Sequence, residues 1–333
     1  MAPFGILDHL YAGARNRAGA RFFAHGWGSE DAMADVRGRI HAGQPAAAID
    51  VAWESDWTPY LGHVARDGYF ETPFYQAHLP PASRLCHFRL VLPGLGHPWP
   101  IYVHMATTGE EGYSARAAHV ARPLLRQGCG TLLLEHPFLG RRRPPQQPST
   151  RLRHVSDLLL LGGAAVEEAR SLLVWLRRQG YRHLGITGVS IGGHLAALAG
   201  ALTPFELALV PCVAPHSAVP IFTEGLMRTA CDWPALARAD RDRACARRQM
   251  AACLAFTGID QFPRPRHGGA VIALAATHDR FVPRHSTDVL VRHWPQAQFR
   301  WVRGGHVSSI VGRKGQYVTA LSDAMAILAN AVA

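Results

Sequence analysis

The pentapeptide Gly188-Val189-Ser190-Ile191-Gly192, followed by Gly193 and His194, has the G-x-S-x-G spacing. The apolar stretch Leu184-Gly185-Ile186-Thr187 leads into it and the small-residue stretch Gly192–Leu202 leads out, which is the strand–turn–helix setting the motif needs. Glycines two residues either side of the serine leave room for a sharp turn that lifts Ser190 off the sheet edge as a nucleophile. A serine hydroxyl is weak at its ordinary pKa and needs a base, which needs an orienting acid. The run Val271–Ala276 ends in Thr277-His278-Asp279, and Gln298–Val302 leads through Arg303-Gly304-Gly305 to His306. Asp279 and His306 therefore follow Ser190 in the order Ser…Asp…His, each just beyond a strand, where parallel sheets hold their sites. The oxyanion of an acyl-transfer intermediate needs two backbone donors. One is the amide of Ile191; the other falls at Thr108 or Gly109, after the run Val103–Ala106.

Other reactive-looking residues point to less. Glu135-His136 after an apolar strand reads equally well as a pocket wall or as a buried hydrogen-bonded pair. Arg142 and Arg143 read as an exposed polar loop rather than an anion site. His278, His285 and His293 lack metal-ligand spacing with a glutamate, so no zinc site is expected. His194 reads as packing. Gly162-Gly163 lacks the G-x-G-x-x-G arrangement, so no dinucleotide is expected, and the serine chemistry requires no cofactor.

The elements that must position these residues begin at Cys86. Strands are expected at Cys86–Leu92, Ile101–Met105, Thr131–Glu135, Leu184–Val189, Leu207–Val213, Val271–Ala276 and Gln298–Val302. Helices are expected at Ser114–Gln127, His154–Gln179, Gly192–Leu202, Arg284–Trp294 and Gln316–Val332. Strands alternating with helices imply a mainly parallel, doubly covered α/β sheet. Residues 214–268 break the alternation with helical character and read as a lid insertion. Ahead of the sheet, Ile6–Phe23 and Ser29–Ile40 read as helices, with Ser29 as an N-cap. Proline and glycine punctuate 44–81, so residues 1–80 are expected to be a helical extension packed on a core of 81–333.

Hydrophobic residues at 48% and charged residues at 18% of 333 exclude wholesale disorder. The longest clean apolar stretch, Leu158–Val166, is far short of the roughly 20 residues of a membrane span. The N-terminal residues lack the charged and apolar regions of a secretory signal. Six cysteines contain no C-x-x-C pair, which suits reduced thiols in the cytoplasm. The net charge of +11 is carried almost wholly by arginine, spread along the chain. It reads first as a generally basic solvated surface and second as one attracted to anionic lipid, by peripheral contact, or to an anionic substrate, and no motif points to specific nucleic-acid binding.

These residues resemble the α/β-hydrolase superfamily and, within it, the abhydrolase domain-containing protein eighteen group. The resemblance runs through Phe22-Phe23-Ala24-His25-Gly26-Trp27-Gly28, Ala121-Arg122-Pro123, Leu134-Glu135-His136-Pro137-Phe138-Leu139-Gly140 and Val155-Ser156-Asp157-Leu158. It continues through the Ser190 motif, Asp279 with Pro283-Arg284, and Gly304-Gly305-His306. It implies a triad of Ser190, Asp279 and His306, and an N-terminal region that belongs to the family's build. His136 stands where the group more often has asparagine. The expected activity is hydrolysis of a carboxylic ester or thioester through an acyl-enzyme, with a lipid or phospholipid acyl ester favoured. The alternatives are a peptidase or amidase on the same three residues and an inactive hydrolase-fold binding protein.

Overall fold

The computed structural model describes residues 5–17, 19, 21–60, 62–237 and 242–332. Two helices open the chain, α1 (Ile6–Arg17) and α2 (Glu30–Ala42). The Ser29 side chain accepts the Ala32 amide at 3.2 Å to start α2, and Gly43 closes it in the left-handed conformation. Three strands then follow in the region expected to be helical: β1 (Ala52–Trp53), β2 (Thr58–Tyr60) and β3 (His63–Glu71). β3 pairs antiparallel with β4 (Leu85–Leu92) from Val64↔Leu92 to Glu71↔Leu85, so the sheet begins well before residue 81. The glycine that reads as punctuation, Gly68, is mid-strand: a Cβ there would lie 2.6 Å from Phe88 and 3.0 Å from Trp53. Glycine is present because two aromatic rings close over the strand, not because the chain turns.

Beyond β4 the elements alternate. β5 (Ile101–Met105) leads to the short helices α3 (Ser114–Arg116) and α4 (Arg122–Leu125), joined by a π-helical turn at Ala117–Ala121. β6 (Gly130–Leu134), α5 (Val155–Arg178), β7 (Leu184–Val189), α6 (Ile191–Leu202) and β8 (Ala208–Cys212) follow. Between β8 and the next strand lie α7 (Ala218–Thr223), α8 (Trp233–Leu236), α9 (Arg243–Leu254) and several 3₁₀ turns. Arg238–Arg241 of the charged run in this segment lies outside the described residues. The chain ends with β9 (Ile272–Ala276), α10 (Arg284–His293), β10 (Gln298–Val302), α11 (His306–Val311) and α12 (Lys314–Val332). α11 was not expected from sequence; six residues are too few to show a helical period.

The sheet order is β1-β3-β4-β6-β5-β7-β8-β9-β10, with β2 on β3. β6, β5, β7, β8, β9 and β10 run parallel, while β1 to β4 pair antiparallel. Strands β5, β6, β8 and β9 are buried along their whole length, as parallel strands covered on both faces must be. One core cluster joins the sheet to α2, α5, α6 and α9. A second, on α12, packs Leu321, Ala324 and Leu328 with Val210 and Leu274. Among the described residues no helix is long and apolar enough to cross a membrane.

Candidate active site

β7 delivers Ser190 at φ 58° and ψ −117°, a region that costs a residue with a Cβ about 1–3 kcal/mol. The surroundings hold it there: the Ser190 amide donates to the Cys212 carbonyl at 2.9 Å, and its carbonyl accepts the His194 amide at 3.0 Å. A Cβ on Gly188 would sit 2.4 Å from Gly192, and one on Gly192 would sit 2.5 Å from the Ala106 carbonyl. Both glycines of the pentapeptide are thus demanded by close backbone approach.

Asp279 follows β9. Its Oδ1 accepts the Phe281 and Val282 amides at 2.8 and 2.7 Å. That leaves Oδ2 directed at His306 Nδ1, 2.7 Å away. His306 is the first residue of α11 and is 6% exposed. Burial opposes its protonation, yet the charge of Asp279, the hydrogen bond to it and the charge of Asp8 outweigh that and raise the imidazole pKa above its ordinary value. With Nδ1–H donated to the carboxylate, Nε2 carries the ring's lone pair.

Ser190 and His306 line one cavity of about 280 Å³, together with Ile191, Thr107 and Thr108. The Thr107 amide donates to Glu110 Oε2 at 3.1 Å and the Ala106 amide to His136 Nε2 at 3.1 Å. Gly109 is not part of the cavity wall; it has φ 72° and lies against Thr150 and Arg15. The rest of the wall is mostly apolar, running from Leu195 and Leu198 of α6 past Leu158 and Val166 of α5 to Val36 and Ile40 of α2. The segment between β8 and β9 covers it with Ile221, Phe222, Leu226 and Phe256.

Several contributors left no signal in the sequence. α1 supplies Tyr11, Ala12, Arg15 and Asn16 to the wall, and Arg151 joins them. Arg151 is 7% exposed, with burial and then the Arg15 and Arg21 charges lowering its pKa. Among the described residues none of these three arginines forms an ion pair with a carboxylate. Arg15 donates instead to Tyr11 and Thr150, and Arg151 to the Arg15 carbonyl. Asp8 accepts the amide of His306 itself.

Of the remaining sequence candidates, His194 and the Gly162-Gly163 pair also line the cavity, while Glu135, His136 and Arg142 do not. His194 packs, with Nδ1 3.1 Å from the Pro215 carbonyl and burial driving its pKa down to about 4. Arg142 is not in an exposed loop. It is fully buried, bidentate to Glu168 at 2.6 and 2.8 Å, and donates to the carbonyls of Glu135 and Ser83. Its desolvation is offset by that carboxylate and those carbonyls, an arrangement the Arg141–Arg143 run does not disclose. Glu135 and His136 are both buried behind the loop after β5, each accepting from backbone amides: Glu135 Oε1 from Gly112 at 3.3 Å and Arg141 at 3.2 Å, His136 Nε2 from Ala106.

A serine held at a strained strand-to-helix turn of a mainly parallel sheet, with a covering helical segment between later strands, defines the α/β-hydrolase class. Consistent with this, the family model described as alpha/beta hydrolase domain containing 18 matches residues 20–252 and 237–327, and the chain belongs to that family. Among solved structures it is similar to acetyl xylan esterase 1 from Thermoanaerobacterium sp., at 12% identity over 92% of this chain and 98% of that one, TM-score 0.56. It is similar also to an alpha-beta hydrolase from Vibrio vulnificus, at 11% identity over 78% and 81%, TM-score 0.54. A third similar structure is a cold-adapted esterase from an Arctic intertidal metagenomic library, at 14% identity over 81% and 99%, TM-score 0.52. At such identities the likeness is one of fold.

Proposed function

We propose that the chain is a serine hydrolase that cleaves a carboxylic ester through an acyl-enzyme. The observation that carries this is the 2.7 Å Asp279–His306 contact on the cavity that also receives Ser190. In this reading Ser190 Oγ attacks the ester carbonyl while His306 Nε2 takes its proton. The imidazolium returns that proton to the leaving alcohol, and water, activated the same way, releases the acid. Asp279 fixes the tautomer and stabilises the charged ring. The Ile191 amide, first in α6, and the Thr108 amide receive the oxyanion. Thr108 is preferred to Gly109 because it lies on the wall, while its neighbour Thr107 has already given its amide to Glu110.

The substrate class favoured is a lipid acyl ester, a phospholipid in particular. Apolar walls from α2, α5 and α6 suit an acyl chain, and Arg15 and Arg151 suit an anionic head group. α1 also turns Ile6, Leu7, Leu10 and Tyr11 outward, 42–62% exposed, while burying Asp8 and Ala12. That inverted face supports peripheral contact with an anionic lipid surface.

The test is labelling by a fluorophosphonate probe, followed by short-chain, long-chain and phospholipid esters, the last in anionic and neutral vesicles. Wild type is expected to label, Ser190→Ala to fail completely, and His306→Ala to label at least about a thousandfold more slowly. An unlabelled wild type, or labelling that survives Ser190→Ala, rejects the serine-hydrolase reading. Turnover of amides in preference to esters rejects the ester assignment alone.

A further inference from the structure

Asp8 is a fully buried carboxylate in the first turn of α1, and the groups that reach it come from the far end of the chain. Its Oδ2 accepts the amide of His306 at 2.9 Å and that of Arg280 at 3.1 Å; its Oδ1 accepts the amide of Val307 at 2.9 Å. Among the described residues no cation pairs with it. Three converging N–H donors call for acceptors on both oxygens, which a carboxylate has and an asparagine, with its own N–H₂, lacks. Arg280 directly follows Asp279, and His306 is the base itself. One side chain therefore ties the loop of the acid to the start of the helix that carries the base.

The rest of α1 is packed to keep it there. Ala12 lies in a small apolar cluster with Phe281 and Leu226, against which Val307 packs, and the Tyr11 ring meets the Phe281 ring edge-on at 6.2 Å. A Cβ on Gly5 would come within 2.9 Å of the Arg280 side chain, so the chain just ahead of the helix lies beside that side chain.

We infer that Asp8 is a positioning residue for the Asp279–His306 pair: it sets the spacing of the two loops and places a second negative charge behind the base. This rests on the serine-hydrolase reading for its kinetic consequences, though not for the contacts themselves. The charged groups acting on the imidazole are Asp279 from the loop after β9 and Asp8 from α1, and both favour its protonated form. Asp8 is thus expected to act on both the geometry of the base and the pH at which it becomes available.

The experiment compares wild type, Asp8→Asn and Asp8→Glu as full-length protein. Two quantities are followed against pH: the fluorophosphonate labelling rate, and the His306 ring signal in ¹⁵N-edited NMR, assigned by its loss in His306→Gln. In Asp8→Asn the alkaline plateau of labelling should fall about tenfold through misplacement of the base. The acid-limb midpoint and the His306 titration should both move down by about half a pH unit through loss of the charge. Asp8→Glu should restore the midpoint but not the whole plateau. A folded Asp8→Asn with plateau and midpoint at wild-type values overturns the proposal, as does a plateau that falls while the midpoint stays. Should Asp8→Asn fail to fold, Val307→Pro removes one donor and keeps the charge. It should lower the plateau with the midpoint unmoved, and a wild-type plateau overturns the proposal. A wild type that never labels rejects the serine-hydrolase reading only; the His306 titration in Asp8→Asn then decides the role of Asp8 by itself.

Discussion

His306 and the pair His104–His136 are all buried, and burial pushes each of them toward the neutral ring. What separates them is the sign of the neighbouring charge. Around His306 stand two carboxylates, Asp279 and Asp8, and its pKa ends above the ordinary value. For His104 and His136, burial is reinforced by the Arg116 guanidinium, with Arg142 adding at His136; His104 falls to about 3 and His136 well below its usual range. The two regions do opposite work. The first holds an imidazole that can take a proton more readily than a free one. The second holds one that cannot, so that the His136 Nε2 lone pair stays free to accept the Ala106 amide beside Thr107 and Thr108. A buried histidine becomes easier to protonate through its carboxylate partner, not through burial.

The largest break in this contrast should come from Asp279→Asn, which removes the main charge from the first region. Labelling of Ser190 is expected to drop by about 10³–10⁴-fold, through a wrong tautomer and an unstabilised imidazolium. A loss below tenfold would mean that Asp279 does not orient the base. In the second region Glu168→Gln should strand the fully buried Arg142 without a counter-charge, at a cost of about 3–5 kcal/mol in urea unfolding. A cost under about 1 kcal/mol would show that the carbonyls of Ser83 and Glu135 satisfy the guanidinium unaided.

Stability should also record the neutral histidines. His104, His136 and His194 bind protons near pH 6.5 when unfolded but only far lower in the fold, down to about 3 and about 4 for His104 and His194. The stability they contribute is therefore complete above pH 6.5 and is lost as pH falls toward 4, at up to about 1.4 kcal/mol per pH unit for each ring. Chemical unfolding between pH 7 and 4.5 measures this, and a flat profile would contradict it. The smallest effect is expected from His136→Leu, which leaves the Ala106 amide without its acceptor. Labelling should slow roughly tenfold, about 1.4 kcal/mol, and His136→Asn, which keeps an acceptor, should recover most of it. Equal rates in the two variants would show that the loop after β5 needs no pin.

How much of this was legible in the sequence follows from how local each cause is. The turn at Ser190 is set by covalent neighbours, because Gly188 and Gly192 touch one another and the chain of β5, so five letters disclose it. The seven strands from β4 to β10 were legible as apolar runs, their ends shifting by one residue at most. β1 to β3 were not, since Gly68 serves a packing contact that looks like a break and the strands lie toward the sheet margin. The burial of Arg142 was hidden within an arginine run. Its counterpart stands in the sequence as Glu168, beside Glu167 in the middle of α5 and flanked by the apolar runs Leu158–Val166 and Leu172–Leu176, where a carboxylate must have a partner. Asp8 had no legible signal at all, because its partners are backbone amides that any residue type could supply. For the same reason Thr108 and Gly109 were not separable until the wall of the cavity was drawn.

The seat of α1 has a consequence for how the molecule is made. Every amide that Asp8 accepts lies beyond residue 279, so during synthesis the helix waits for more than four-fifths of the chain to emerge, on the order of tens of seconds at ribosomal rates. Throughout that interval Asp8 and Ala12, the residues α1 buries, have no finished surface to sit on, and Ser190 can be in place at its turn before His306 exists. The newborn chain thus holds the Ser190 turn without His306 across its cavity and an N-terminal helix without a dock, and both conditions end together when the last two loops arrive.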